Sequence, residues 1–388
     1  METRDWSLVI FTVLTQAAVG AFLTLQVLEY LSARRGGSGA GRGSDHARDS
    51  DRKAGGAGAP GPGAGRAGNA GRDRGATVVP LLVVLAVLSV GLFAALFHLS
   101  TPLQAARAVV NFSSSWLSRE IVFGSLFAAL LSAMVWHEWR VACSGTASSA
   151  RERRAASPAP AGPPSANPAK ERHETGPEPA NPTPANPALA TWLPRFTAVA
   201  GLAFLGCQTA IYLLPAQPAW NTFATPAAFG GTALRLGVLG VAAGLVFRSL
   251  ASGVDDLAQA APRATGGTSS ATLRGLALAG IAALALEFVV VPLHLASLAA
   301  NPLPAAAASV QRLTGDYGGI LLLRLGLLGA AAAALGGVVA SSRGAVGPAG
   351  PSPRPLASAL TCGAFGLIAA SEVCGRFLFY AMQVRVGI

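Results

Sequence analysis

The sequence predicts an all-α protein, a polytopic membrane bundle of eight transmembrane helices with both termini on the outer side. Three observations carry that expectation. The 388 residues are 52% hydrophobic and only 12% charged, with a mean hydropathy of +0.48, whereas a soluble domain carries about 25% charged residues. The charge is also segregated, with nine Lys/Arg and four Asp/Glu in residues 32–77 and six and four in residues 140–190. Finally, stretches of the length needed to cross a bilayer, roughly 20 apolar residues, recur eight times.

Those stretches run approximately over 7–31, 78–99, 119–140, 191–214, 230–250, 272–294, 317–340 and 357–381. The first has no basic leading region and no small-residue cleavage site before Arg34 and Arg35, so it reads as a retained helix and not as a cleaved signal. Residues 32–77 are Gly/Arg-rich, and residues 141–190 contain SPAPAGPPSANPAKERHETGPEPANPTPANP. Neither segment can bury enough apolar surface to offset the entropy of ordering it, so both read as disordered cytoplasmic linkers. The expected organisation is helix one over 1–31, the first linker over 32–77, helices two and three over 78–140, the second linker over 141–190, and helices four to eight over 191–388. Lys and Arg gather in the loops after helices one, three, five and seven, with Arg248, Arg263, Arg274, Arg343 and Arg354 in the shorter ones. Cytoplasmic loops keep such an excess, which places both termini outside.

The pI of 10.7 does not indicate nucleic-acid binding, because the basic residues lie in loops between apolar runs and form no single basic face. Cys143, Cys207, Cys362 and Cys374 form no CxxC and no Cys/His spacing that suits zinc or an iron–sulfur cluster. No metal site is expected.

Ionisable groups within spans are costly, and they mark functional or pairing sites. His98 closes helix two at its outer end, and Glu120 opens helix three at the same level after a segment that carries Arg107, Asn111, Trp116 and Arg119. Arg235 and Arg324 lie a turn or two inside the outer ends of helices five and seven. Glu287 and His294 lie in the outer half of helix six, and Gln16 lies midway along helix one. Glu372 and Arg376 share a face of helix eight at i, i+4 spacing, which suits a structural ion pair. Two fates are open to Arg235, Arg324 and Arg376, snorkelling to the headgroups or pairing inside the bundle. Glu287 has no local partner, which leaves it either protonated or paired across helices. Together these six residues, Gln16, Arg235, Glu287, Arg324, Glu372 and Arg376, form a candidate supporting set.

His98 and Glu120 are the candidate reacting pair. Oxidising a quinol removes two protons and two electrons, so its ring oxygens need hydrogen-bond acceptors that exchange protons near neutral pH. An imidazole and a carboxylate at the membrane boundary supply them. A bis-His haem would need two facing ligands, and only His98 and His294 share a level, so no haem is expected. Without haem or cluster the chain cannot carry electrons onward alone, which implies an accepting partner at the outer face.

Residues 97–130, FHLSTPLQAARAVVNFSSSWLSREIVFGSLFAAL, resemble the segment around helices two and three of the membrane-anchor subunit of dimethyl sulfoxide reductase. The resemblance extends to WSLVIFTVLTQAAVGAF near the start, DYGGILLLRLGLLG at 316–329 and SEVCGRFLFYAMQVRVG at 371–387. It implies an eight-helix, haem-free anchor in a bacterial cytoplasmic (inner) membrane. Such an anchor holds a molybdopterin catalytic subunit and an iron–sulfur electron-transfer subunit, carries neither cofactor itself, and oxidises menaquinol from the menaquinone pool during anaerobic respiration. By position, His98 and Glu120 would be the quinol-site residues, with Arg107, Asn111 and Arg119 placed to orient the headgroup or touch the partner. The two long linkers depart from the family's short loops. The alternative, a secondary transporter or permease with an intramembrane Arg/Glu path, would show inverted repeats and a polar centre at the midplane. The sequence shows no convincing repeat, and its polar groups gather towards one leaflet.

Overall fold

The computed structural model describes residues 3–50, 64–97, 111–156, 187–258, 270–342 and 355–386, with side chains over 6–34, 78–97, 111–144, 188–251, 270–342 and 355–386. His98, Arg107, Arg263, Arg343 and Arg354 lie outside the described residues, as do 51–63 and 157–186 of the two linkers. The described residues are all-helical: α1 (Thr3–Ser50), α2 (Ala64–Leu96), α3 (Trp116–Ala156), α4 (Pro187–Tyr212), α5 (Ala224–Ala258), α6 (Ser270–Ala299), α7 (Pro304–Gln311), α8 (Gly318–Ser341) and α9 (Pro355–Ala381). Eight of these, all but α7, are long and apolar enough to cross a membrane. The chain is a multi-pass membrane protein.

Two differences from expectation stand out. Helix continues from α1 through 32–50, precedes the apolar part of α2 over 64–77, and continues from α3 through 141–156, where composition suggested no regular backbone. Ala and Arg in these stretches are good helix formers. The sequence reading also passed over α7, an eight-residue helix with Pro304 at its first position, and the π-helical turn Arg312–Asp316 that leads into α8. Both are too short to give a hydrophobic period.

The described residues form three buried apolar clusters, and α1 contributes to two of them. Val9, Val13, Leu239, Val246, Leu284, Leu328, Leu335 and Ile368 join α1 to α5, α6, α8 and α9. Phe22, Leu81, Leu88, Phe127, Leu131 and Phe204 join α1 to α2, α3 and α4. Helices α1 and α5 are the most enclosed spans. Their backbones touch, because a Cβ added at Gly20 would lie 1.7 Å from the Ala233 carbonyl oxygen and one at Gly237 would lie 2.2 Å from the Gly20 carbonyl carbon. Lipid tails give helices no hydrophobic reason to associate, so such small-residue approaches, which let van der Waals contact accumulate, hold spans together.

The outer faces are apolar. Leu82, Val83, Val90 and Phe93 on α2, Leu286, Val289 and Leu293 on α6 and Leu322 on α8 are all exposed, a surface suited to hydrocarbon. At one end of the bundle Tyr30, Trp136, Trp139 and Trp192 are exposed, and at the other Trp6 and Trp116, as at the two interfaces of a bilayer.

Candidate functional site

Helix α3 begins where Ser115 caps it. The Ser115 hydroxyl accepts the Ser118 N–H at 3.3 Å, satisfying one of the orphan donors of the first turn. Asn111 closes the preceding turn, its carbonyl accepting the N–H groups of Ser114 and Ser115. Arg119 reaches back over the Trp116 ring, 4.2 Å from its centroid, and donates to the Phe112 carbonyl at 2.9 Å and the Ser113 carbonyl at 2.7 Å. Asn111 and Arg119 therefore fold the entry segment. Glu120, the next residue, points the other way and is 7% exposed. Its carboxyl lies beside the Gln208 side chain on α4.

From Gln208 the polar contacts continue inward. Its amide nitrogen donates to Thr15 at 2.9 Å, and its oxygen accepts from the Gln16 amide at 3.4 Å. The Gln16 oxygen accepts from Arg376 at 2.6 Å. The Arg376 guanidinium lies 4.0 Å from the centre of the Phe229 ring, a cation–π contact that stabilises a buried charge.

Beside it lies an ion-pair network. Arg235, only 1% exposed, donates from Nε to Glu372 at 2.5 Å and from Nη1 to Glu287 at 2.9 Å. The Thr232 hydroxyl donates to the second Glu372 oxygen at 2.7 Å, and Arg324 donates to the second Glu287 oxygen. All four carboxylate oxygens are thus engaged, which offsets the cost of burying the two charges. Glycine makes this packing fit: a Cβ at Gly375 would lie 2.6 Å from Arg324 Nε, and one at Gly231 would lie 2.7 Å from Arg235 Nη1.

Of the two fates open to the three arginines, pairing inside the bundle prevails. Of the two states open to Glu287, pairing across helices is the one observed. The anticipated Glu372–Arg376 pair gives way to Glu372–Arg235, because packing α9 against α5 brings Arg235 to Glu372 while Arg376 turns to Gln16 on α1. Sequence reasoning missed Gln208 and Thr232. Gln208 is the only side-chain amide of α4, and an amide within an apolar span is itself a sign of pairing.

A cavity of about 70 Å³ opens beside the network, lined by Thr232, Glu287, His294, Arg324, Glu372 and Arg376 among apolar side chains. Arg324 Nε and Arg376 Nη1 are buried there without a protein partner, and a polar cavity of this size has room for waters that would satisfy them. His294 is buried and contacts Thr222 at 3.3 Å through Nδ1. Past the cavity, Trp220 stacks on Phe379 at 5.3 Å and donates to the Phe379 carbonyl at 2.7 Å. The Tyr212 and Tyr380 hydroxyls meet at 2.9 Å. Among the described residues no group of three or more His, Cys, Asp or Glu side chains could hold a metal ion.

The polar system thus runs from Glu120 on α3 through α4 and α1 to α9, and beside it from α9 through α5 to α6 and α8. It touches every span but α2, whose described side chains over 78–97 include no charged residue. In a comparison with known families, the model described as DMSO reductase anchor subunit (DmsC) matches residues 67–148. No curated protein and no solved structure matches the chain.

Proposed function

We propose, for a chain whose residues 67–148 match the model of the DMSO reductase anchor subunit, that it anchors a reductase complex and oxidises menaquinol at the bundle end where α3 begins. The observation that carries this reading is Glu120: a buried carboxyl, one residue past an entry segment folded by Arg119 and Asn111, inside the segment that matches the family. A carboxylate offers about four lone-pair sites, which gives it capacity to accept a quinol hydroxyl.

His98, which the sequence places at the end of α2, is the second acceptor. Each of the two residues takes one of the two quinol protons, and the two electrons pass to an iron–sulfur partner docked at that end. The partner hands them to a molybdopterin catalytic subunit. Arg107 belongs to the same entry segment and is proposed to contact the headgroup or the partner. The setting is the bacterial cytoplasmic membrane, with the site facing outward as the positive-inside pattern implies.

Quenching of a fluorescent quinol analogue in membranes that carry the chain tests this. We expect saturable binding in the wild type and its loss in both His98→Ala and Glu120→Gln, with insertion unchanged. Wild-type membranes that bind nothing even with the iron–sulfur partner present would refute the reading.

A further inference from the structure

We infer that the cavity between α5, α6, α8 and α9 is a binding site for a small monovalent anion of halide size, held by the guanidinium groups of Arg324 and Arg376.

The charge of the cluster points to an anion. Three guanidinium groups, those of Arg235, Arg324 and Arg376, are gathered around two carboxylates, those of Glu287 and Glu372. A guanidinium stays charged in a protein, so at least one positive charge is left that no carboxylate of the cluster balances. The other acidic side chains described are Glu29 and Glu138 towards the opposite end of the bundle, the exposed Asp316 and Glu120 on α3. Among the described residues none of these is ion-paired with the three arginines. A buried charge without a counter-charge is costly, and a bound anion removes that cost.

The donors are in place to hold it. Arg324 Nε and Arg376 Nη1 are buried without a protein partner, and both residues line the cavity. Arg376 is 4% exposed. Its Nη2 is committed to Gln16 and its head lies over the Phe229 ring, which fixes the guanidinium and leaves Nη1 to the cavity. The Arg324 head is fixed as well, by the bond from Nη2 to Glu287. A Cβ at Gly375, the residue before Arg376, would lie 2.6 Å from Arg324 Nε and 2.8 Å from its Cζ, so the two guanidinium groups approach the same stretch of α9. The carboxylate oxygens in the lining are engaged by Arg235, Arg324 and Thr232, and the Thr225 hydroxyl donates to the Trp220 carbonyl. Both unpartnered buried side-chain atoms of the lining are therefore N–H donors, and hydrogen bonds between such charged donors and an anion are the strong ones.

Size and charge select the ligand. Pockets for organic ligands measure roughly 300–1,000 Å³, so a cavity of about 70 Å³ excludes a bicyclic quinol headgroup. It equals a few waters at about 15 Å³ each, room for one halide and some water. A single negative charge matches the one positive charge left over, and the apolar side chains of Val290, Val291 and Leu321 in the same lining keep the local dielectric low, which strengthens the attraction. Ala224 opens α5 and Leu313 belongs to the π-helical turn, so the cavity lies towards that end of the bundle and an anion reaches it without crossing the whole span.

The test is thermal unfolding of the purified full chain in detergent, with sodium gluconate replaced stepwise by sodium chloride or sodium bromide at constant ionic strength. Gluconate is too large for the cavity, so the exchange alters occupancy and not screening. A ligand that binds only the folded chain stabilises it by a nearly equal step for each tenfold rise in concentration above its dissociation constant. We expect the unfolding midpoint of the wild type to rise in this way with both halides. Arg376→Gln removes the unbalanced charge and one of the two donors, and is expected to abolish the response. Should Arg376→Gln fail to accumulate, Ala228→Leu fills the cavity from the α5 wall with every charge in place and is read the same way. A wild-type midpoint that is equal in halide and gluconate, or a halide response that persists undiminished in the variant, overturns the inference and leaves water as the occupant. Quinol-analogue binding plays no part in the readout, so this inference and the quinol reading stand or fall separately.

Discussion

Arg235 holds Glu372 on one side and Glu287 on the other with almost no surface of its own exposed. Removing one member of a buried ion pair strands the other charge, at a cost of about 3–5 kcal/mol. Arg235→Met is expected to lower stability by that order, read as the shift in the denaturant midpoint of the detergent-solubilised chain. Much of this network was legible in the sequence, because a charged residue within a span must find a partner. Which partner was not legible. The i, i+4 spacing of Glu372 and Arg376 is a property of one helix, whereas the choice of Arg235 over Arg376 depends on how α9 packs against α5. Neutral members such as Thr232 and Gln208 carry no charge to betray them, and His98 and Arg107 fall outside the described residues.

At the scale of elements, the crossing of α1 and α5 sets the geometry that brings Gln16 to Arg376. Gly20 is in backbone contact with Ala233 and Gly237, so a side chain there has no room that a rotamer change could provide. Gly20→Leu is expected to destabilise the bundle by about 3 kcal/mol, the upper end of overpacking costs, and to weaken quinol-analogue binding with it. Gly206→Ala on α4, where an added Cβ meets nothing within 4 Å, is the matched control and should leave both unchanged in the same unfolding and binding measurements. The spans themselves were readable to within a few residues, since hydropathy reports on burial in lipid. The Gly20 approach was not, because in a chain with 46 glycines nothing in the sequence distinguishes the one that meets another backbone.

For the whole molecule, alternation of the spans puts the start of α3, the α4–α5 connection and the α6–α7 connection at one end, with the ends of α3 and α8 at the other. In the orientation proposed from the charge pattern, the first end is outside. Asn111→Cys and Asn301→Cys should therefore react with a membrane-impermeant maleimide in right-side-out vesicles, whereas Ser342→Cys and the native exposed Cys143 should react only after permeabilisation. The reverse pattern would invert the bundle and put the candidate site on the cytoplasmic side. With that orientation, the account meets at Glu120: the entry segment outside it and the iron–sulfur partner proposed above it. The most direct test is the reduction of that partner's clusters by a quinol analogue, followed by electron paramagnetic resonance in the assembled complex. The account predicts rapid reduction with the wild-type chain and a loss of at least about a hundredfold with Glu120→Gln, the usual scale for a positioned proton acceptor, while the complex remains assembled. Clusters reduced equally fast in the variant would contradict it.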